Sequence, residues 1–250
     1  MACVLQALSF ATYLLAGAPD EHAVDLELVL ANDASASMDV EERQAQLQGY
    51  ASAFRDPAVI ARILDGIRGR IAVTYMQWSG DRDQAVRIPW RLIDGFQTSS
   101  RFAETIERLP VELEFGPTSL GSALSFGAAL FDQNSYEGQR RVIDIAGDGV
   151  SNDGPAVELV RNRIVARGIT INGLAMIFIN SPTDSRFGSR RFLLNSQKDI
   201  YLERYYRDHV IGGAGSFVST IRDKSGFVQT LKMKLIREIA GRVSPCVDAD

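Results

Sequence analysis

Side-chain oxygens that could bind a metal ion recur in three short segments of this sequence. Asp33-Ala-Ser35-Ala-Ser37 places a carboxylate and two hydroxyls on alternate residues of a turning loop. Thr118 stands before a predicted helix, and Asp148 stands between two glycines directly after a predicted buried strand. Such oxygen ligands suit Mg²⁺, with Mn²⁺ and Ca²⁺ as alternatives, and a site with few charged ligands leaves a coordination position open. A carboxylate of a partner can fill that position.

Each segment has an ordinary explanation when it is taken alone. The Asp-x-Ser-x-Ser string can be a helix cap with structural serines, and threonine before a helix is a common cap. An aspartate between two glycines can be only a turn. The three segments occur in order, each beside the expected element, and this combination favours a metal site formed by Asp33, Ser35, Ser37, Thr118 and Asp148.

The elements that must position these loops alternate between strand and helix. Strand patterns cover residues 24–31, 71–78, 85–90, 142–146, 169–177 and 217–221, and helix patterns cover residues 41–54, 101–109, 120–131, 156–167 and 226–240. We expect a turn at Asn32-Asp33, and a hairpin of the second and third strands with Pro89 on an edge strand. The pattern predicts a mostly parallel sheet with helices on both faces, whose ligands bind at the carboxyl ends of the strands.

The segments DASAS, GPTSLGSAL and GDGVSND resemble the three parts of the metal-ion-dependent adhesion site of von Willebrand factor A (VWA) domains. The resemblance covers residues 24–240. It implies a three-layer Rossmann-like α/β fold, with a mostly parallel six-stranded sheet and one antiparallel edge strand. It also implies direct metal contacts from Ser35, Ser37 and Thr118, contacts partly through water from Asp33 and Asp148, and adhesion or scaffolding instead of catalysis.

Two positions depart from the commonest pattern of that family. Ala36 stands where many members have glycine, and Gly147 stands where many have threonine, which removes a possible hydroxyl from behind the metal ligands. The late segments VIGGAGSFV and KLIREIAG resemble uncharacterised bacterial proteins built almost wholly from this domain. That resemblance names no partner.

Composition and the chain ends set further limits. A length of 250 residues with 46% hydrophobic residues predicts one domain, and a net charge of -4 without a run of five basic residues argues against nucleic acid as a partner. Residues 1–18 are uncharged, mostly apolar and too short to span a membrane, so we expect a signal peptide and a periplasmic or secreted protein. Residues 241–250 are expected to form a tail. Cys3 would leave with the signal peptide, and the remaining Cys246 is a single thiol, which excludes a disulfide framework.

Three functions remain open at this point. The first is a metal-dependent module that binds a protein through its Asp or Glu carboxylate. The second is a phosphoryl-transfer hydrolase of the haloacid dehalogenase type, although that class wants Asp-x-Asp and Ser35 supplies no second carboxylate as a general acid. The third is a structural subunit without a working metal site, which contacts its partner through an exposed insertion at residues 178–204. The oligomeric state stays open.

Several other polar residues favour structural explanations. Asp144 lies inside a predicted strand and needs a buried partner, for which Asn172 on the neighbouring strand is the candidate. His209 is expected to be structural. The tyrosines 201, 205 and 206 are expected to pack or to form an interface, and Glu112 and Glu114 to face solvent.

Overall fold

The computed structural model describes residues 21–35, 40–111, 116–177, 201–222 and 226–241. The strands are β1 Ala23–Asp33, β2 Ile71–Trp78, β3 Gln84–Ile93, β4 Glu137–Gly147, β5 Ile169–Met176 and β6 Val218–Ile221. The helices are α1 Val40–Arg55, α2 Pro57–Leu64, α3 Phe96–Glu107, α4 Leu120–Leu130, α5 Val157–Ala166 and α6 Phe227–Ala240. Residues 201–205 are also helical and lead directly into a π-helix, Tyr206–Val210.

The described strands form one sheet in the order β3-β2-β1-β4-β5-β6. β2 and β3 are antiparallel, and all other neighbours are parallel. This confirms the predicted fold class. Pro89 lies exposed on β3 at the edge of the sheet, as predicted, because an edge strand tolerates a residue without an N–H donor.

Two apolar cores lie on the two faces of the sheet. Leu28 and Leu30 of β1 enter one core, which α1, α2, α3 and α6 cover. Val29 and Ala31 enter the other, which α4, α5 and the π-helix cover. Successive residues of a strand point to opposite faces, so a strand with helices on both sides must be apolar throughout. This explains why apolar and polar residues do not alternate in the second half of β1.

The chain leaves the centre of the sheet in both directions. From β1 it runs outward through β2 to β3, and from β4 it runs outward through β5 to β6. The carboxyl ends of β1 and β4 therefore flank the point where the strand order reverses. In open α/β sheets this point forms a crevice in which ligands bind.

The structure corrects three sequence predictions about individual elements. β1 continues through Asp33, where a turn was predicted, because its last residues still pair with β2. α3 begins at Phe96, and its first turn is stabilised by Thr98 Oγ1, which donates to Asp94 Oδ1 at 2.9 Å. α2 was not predicted, although Asp56 caps it by accepting from Ala58 N at 2.8 Å.

The predicted insertion needs a further correction at its end. Residues 201–204 are helical, whereas the sequence pattern indicated an exposed connector through residue 204. Residues 178–200 of this insertion, which include Arg186, Arg190 and Arg191, lie outside the described residues. The same holds for residues 1–18 and for the predicted tail after Gly241, with Cys246. Among the helices that the structure describes, none is long and apolar enough to cross a membrane.

Candidate metal site

The first of the three loops leaves β1 at Asp33, which is 1% exposed. Asp33 Oδ1 accepts a hydrogen bond from Ser35 N at 2.7 Å, which turns the chain sharply after the strand. From α1, the buried Arg43 donates to the backbone oxygens of Ala34 and Ser35, the latter at 2.8 Å. The loop is therefore held from both sides. Sequence reasoning missed Arg43, although its spacing from Leu47 and Tyr50 places it on the buried face of α1.

The second and third loops are joined by hydrogen bonds into one unit. Thr118 N donates to Asn152 Oδ1 at 2.8 Å, and Asn152 N donates back to Thr118 O at 2.9 Å. Ser151 Oγ accepts from Leu120 N at 3.2 Å, at the start of α4. Asn152 and Ser151 were not predicted as site residues. The polar run that follows Gly149 in GDGVSND is the signal that could have found them.

These two units meet at the crevice between β1 and β4. Thr118 Oγ1 lies 3.5 Å from Ser35 Oγ. The half-buried Asp148 lies close enough to Asp33 for its charge to raise the pKa of that carboxyl. The structure thus brings together Asp33, Ser35, Thr118 and Asp148. Ser37, the fifth predicted ligand, lies outside the described residues.

The Asp33 carboxylate is electrostatically costly in this position. Burial first, and the charge of Asp148 second, raise the pKa of Asp33 to about 7, and hydrogen bonds from Ser35 and from the backbone of Asp148 only partly oppose this. Its Oδ2 atom is buried and has no hydrogen-bond partner among the described residues. Among the described residues, no cationic side chain contributes to the shift in the pKa of Asp33. A buried carboxylate of this kind requires either a counter-charge or a proton.

The donor set fits a hard divalent cation. The residues that meet offer two carboxylates and two hydroxyls, all oxygen donors of the type that Mg²⁺, Mn²⁺ and Ca²⁺ prefer. No group of three His, Cys, Asp or Glu side chains that could hold a metal ion occurs in the described part of the chain, so a cation at these loops would need hydroxyl ligands as well. Thr118 is 6% exposed, whereas the adjacent Pro117 is exposed. The inner wall of the site is therefore buried and its rim reaches the surface.

Asp144 lies on the other face of the sheet and does not belong to this site. Its ion-pair partner is Lys234 of α6, with Oδ1 and Nζ 2.5 Å apart, so the predicted pairing with Asn172 is wrong. Asn172 instead donates to Glu238 at 3.2 Å and accepts from Phe217 N at 3.1 Å. The lysine lies 90 residues further along the chain, on a helix that only the packing of α6 brings to the strand.

The aromatic and histidine residues near the π-helix divide between surface and interior. His209 Nδ1 lies 2.6 Å from Glu158 Oε1, which holds the π-helix against α5. Tyr201 is exposed, whereas Tyr206 is fully buried and cannot be an interface residue. Tyr205 Oη accepts a hydrogen bond from Ser151 N at 3.3 Å, so this helical segment contacts a loop of the site. Glu112 and Glu114 lie outside the described residues.

Comparison with protein families gives one match that spans most of the chain. The model of a family described as proteins of unknown function, DUF1194, matches residues 23–243. The chain belongs to this family. No curated protein matches the sequence significantly.

Solved structures with the same fold show what this DUF1194 chain resembles in three dimensions. Proximal thread matrix protein 1 from the mussel byssus, with a zinc-occupied MIDAS motif, has a TM-score of 0.54 at 16% identity, over 85% of this chain and 47% of that one. The pilus adhesin SpaC from Lactobacillus rhamnosus GG has a TM-score of 0.54 at 10% identity, over 86% and 31%. A von Willebrand factor type A protein from Catenulispora acidiphila has a TM-score of 0.50 at 15% identity, over 87% and 43%.

These similarities establish a VWA-like fold and confirm the resemblance seen in the sequence. The chain spans less than half the length of each of the three proteins. At these identities the comparison concerns the fold alone.

Proposed function

We propose that this chain is a metal-dependent protein-binding module of the adhesion or scaffolding type. It holds one divalent cation, Mg²⁺ or else Mn²⁺ or Ca²⁺, between the loops after β1 and β4. The observation that carries the proposal is the buried Asp33 carboxylate, whose Oδ2 has no hydrogen-bond partner among the described residues. The cation supplies the counter-charge that this carboxylate requires.

The proposed ligands divide by chemistry. By the resemblance to VWA domains, Ser35, Ser37 and Thr118 would hold the cation directly through their hydroxyls, and Asp33 and Asp148 would act partly through water. When bound, the cation offers an open coordination position to an Asp or Glu carboxylate of the partner. The two hydrogen bonds between Asn152 and the Thr118 backbone hold the hydroxyl in place before a partner arrives.

The proposal includes no catalytic step. Phosphoryl transfer of the haloacid dehalogenase type needs a second carboxylate two residues after the first, and Ser35 stands there. An exported protein fits the uncharged, apolar residues 1–18, so we place the function in the periplasm or outside the cell. Several of the solved VWA-like structures come from matrix and adhesin proteins, which is compatible with a binding role.

Isothermal titration with Mg²⁺ and with Mn²⁺ tests metal binding directly. The folded protein should bind one ion, and Asp33→Asn should remove the binding heat because it deletes the buried negative charge. Asp132→Asn is the matched control, since Asp132 is an exposed aspartate paired with Arg167 at 2.7 Å. Absence of binding by the folded wild-type chain, or equal binding by Asp33→Asn, would contradict the proposal.

Affinity capture tests the partner. The wild-type chain should retain a protein in Mg²⁺ and release it in chelator, and the Asp33→Asn chain should retain none. Replacing the contacting Asp or Glu of the captured protein by its amide should abolish the interaction. Capture that persists in chelator and with Asp33→Asn would instead favour contact through another surface.

A further inference from the structure

Tyr206 crosses β4 and β5 through space left by two glycines. A Cβ atom on Gly173 would lie 2.7 Å from Tyr206 Cδ1, and a Cβ atom on Gly147 would lie 2.7 Å from Tyr206 Oη. Carbon atoms do not approach other heavy atoms so closely without displacement. Any larger residue at either position would therefore displace the Tyr206 side chain, and the two glycines leave room for it beside the strands.

The hydroxyl of Tyr206 comes to lie beside the metal site. The same Cβ position on Gly147 is 2.9 Å from Asp33 Oδ2 and 3.3 Å from Trp78 Cζ2. The phenol and carboxylate oxygens thus border one small space, which the indole of Trp78 closes on another side. Tyr206 is 0% exposed and Asp33 is 1% exposed. Neither Tyr206 Oη nor Asp33 Oδ2 has a hydrogen-bond partner within the described ranges.

The charges favour the hydroxyl as a donor toward Asp33. Burial first, and the charges of Asp33 and Asp148 next, hold the pKa of Tyr206 well above its usual range. The phenol therefore keeps its proton. A carboxylate oxygen accepts through two lone pairs, so Asp33 Oδ2 can accept from a phenol and still face a cation or its water.

Two tyrosines connect the helical segment at residues 201–210 to the loops of the site. Tyr205 Oη accepts from Ser151 N at 3.3 Å, and Tyr206 reaches across to Asp33. The change from α-helix to π-helix occurs at Tyr206 itself. Such local widening of a helix is common where a side chain serves a site.

We propose that Tyr206 is a positioning residue of the metal site. Its hydroxyl borders the same space as Asp33 Oδ2 without bonding to it, and it donates to that oxygen when a cation is bound, which orients the carboxylate toward the cation. This inference rests on the proposed function. It also explains Gly147, which stands where many VWA domains have a threonine hydroxyl, because the hydroxyl of Tyr206 takes that place. Removing a group that orients a metal ligand typically lowers metal affinity 10- to 100-fold.

Titration calorimetry with Mn²⁺ and Mg²⁺ on Tyr206→Phe tests the role of the hydroxyl. The ring stays, so packing is preserved, and we expect Kd to rise by about tenfold. Tyr75→Phe is the matched control. Tyr75 is also fully buried with an Oη that lacks a partner among the described residues, but it packs in the core on the other face of the sheet. Its Kd should equal that of the wild type.

Urea unfolding in chelator accompanies the titration, because a purely structural hydroxyl would change stability and leave affinity intact. The expected result is an unchanged unfolding midpoint for Tyr206→Phe together with the raised Kd. A Tyr206→Phe chain that binds as tightly as the wild type, or a Tyr75→Phe chain that loses as much affinity, overturns the inference alone. A wild-type chain that binds no cation overturns the proposed function and this inference with it.

Discussion

Two aspartates are buried on opposite faces of the same sheet, and only one of them has a cationic partner among the described residues. Asp144, in the middle of β4, lies 2.5 Å from the Lys234 ammonium, and both side chains are 0% exposed. Asp33, at the end of β1, has no cationic partner among the residues that shift its pKa. A buried charge is tolerated only with a counter-charge or with proton uptake. The chain supplies the counter-charge for Asp144, whereas we propose that a bound cation supplies that of Asp33.

Asp144 is neutralised and hydrogen-bonded by side chains of the protein itself. Lys234 also pairs with Glu238, and Tyr50 Oη donates to Asp144 Oδ2 at 3.4 Å. Although burial lowers it, the pKa of Lys234 is raised by the charges of Asp144 and Glu238. Burial raises the pKa of Glu238 to about 7, with the Asp144 charge as the second cause. The cluster links β4 to α6 and has a structural role.

The largest expected loss of stability comes from removing the cation of the Asp144–Lys234–Glu238 cluster. Lys234→Met leaves two buried carboxyl groups without their cation and should lower the free energy of unfolding by about 3 to 5 kcal/mol. Urea titration at pH 7.5 measures this loss. Lys232→Met on the same helix is the control: Lys232 pairs with Asp56 at a partly exposed site and should cost under about 1 kcal/mol. Equal losses for both variants would remove the contrast between the two regions.

Removing the Asp33 carboxylate should stabilise the folded chain, whereas removing the Lys234 ammonium destabilises it. In chelator at pH 8, Asp33→Asn should raise the free energy of unfolding by about 2 kcal/mol, because the folded chain no longer buries a charge without a counter-ion. The pH dependence follows from the pKa of Asp33, which is raised from 3.8 to about 7. The folded state holds the proton more tightly, so this contribution is fully present below pH 3.8 and is lost as pH rises to about 7.

Urea unfolding in chelator at pH 5 and pH 8 measures this difference. From pH 5 to pH 8, the free energy of unfolding of the wild type should fall relative to that of Asp33→Asn. Added Mg²⁺ should restore the stability of the wild type at pH 8. A stability difference between wild type and Asp33→Asn that does not change with pH would show that Asp33 has its counter-charge within the protein. The two regions would then be alike.

The smallest effect is expected from filling the space beside Asp33. Gly147→Ala places a methyl group against Tyr206 Oη and Asp33 Oδ2 and should destabilise the chain by about 1 kcal/mol, with weaker Mn²⁺ binding. Gly95→Ala is the control, since a Cβ atom there has no neighbour within 4 Å. Thermal unfolding and Mn²⁺ titration of both variants check the prediction. An effect of Gly147→Ala no larger than that of Gly95→Ala would show that the space is not used.

Local patterns determined much of the fold. The period of two in strands and of 3.6 in helices comes from the backbone itself, so β2, α4 and β5 were predicted to within one residue of their bounds. Short-range capping decided what the pattern missed: Asp56 starts α2, and the Asp94–Thr98 hydrogen bond lengthens α3. Such capping depends on single polar side chains next to the helix and is not part of the hydrophobic pattern from which the other helices were predicted.

The sequence by itself determined that oxygen-bearing side chains follow β1, precede α4 and follow β4, and parallel strands bring such loops to one edge of the sheet. Only the tertiary structure decided which distant side chains meet there. Asn152 contacts the Thr118 loop, Tyr206 lies beside Gly147, and Lys234 neutralises Asp144, through contacts between residues that are far apart along the chain. Arg43 is only eight residues from Ser35, but the packing of α1 on the sheet directs its side chain to the loop. Such contacts depend on how helices pack on a sheet, which periodicity does not encode.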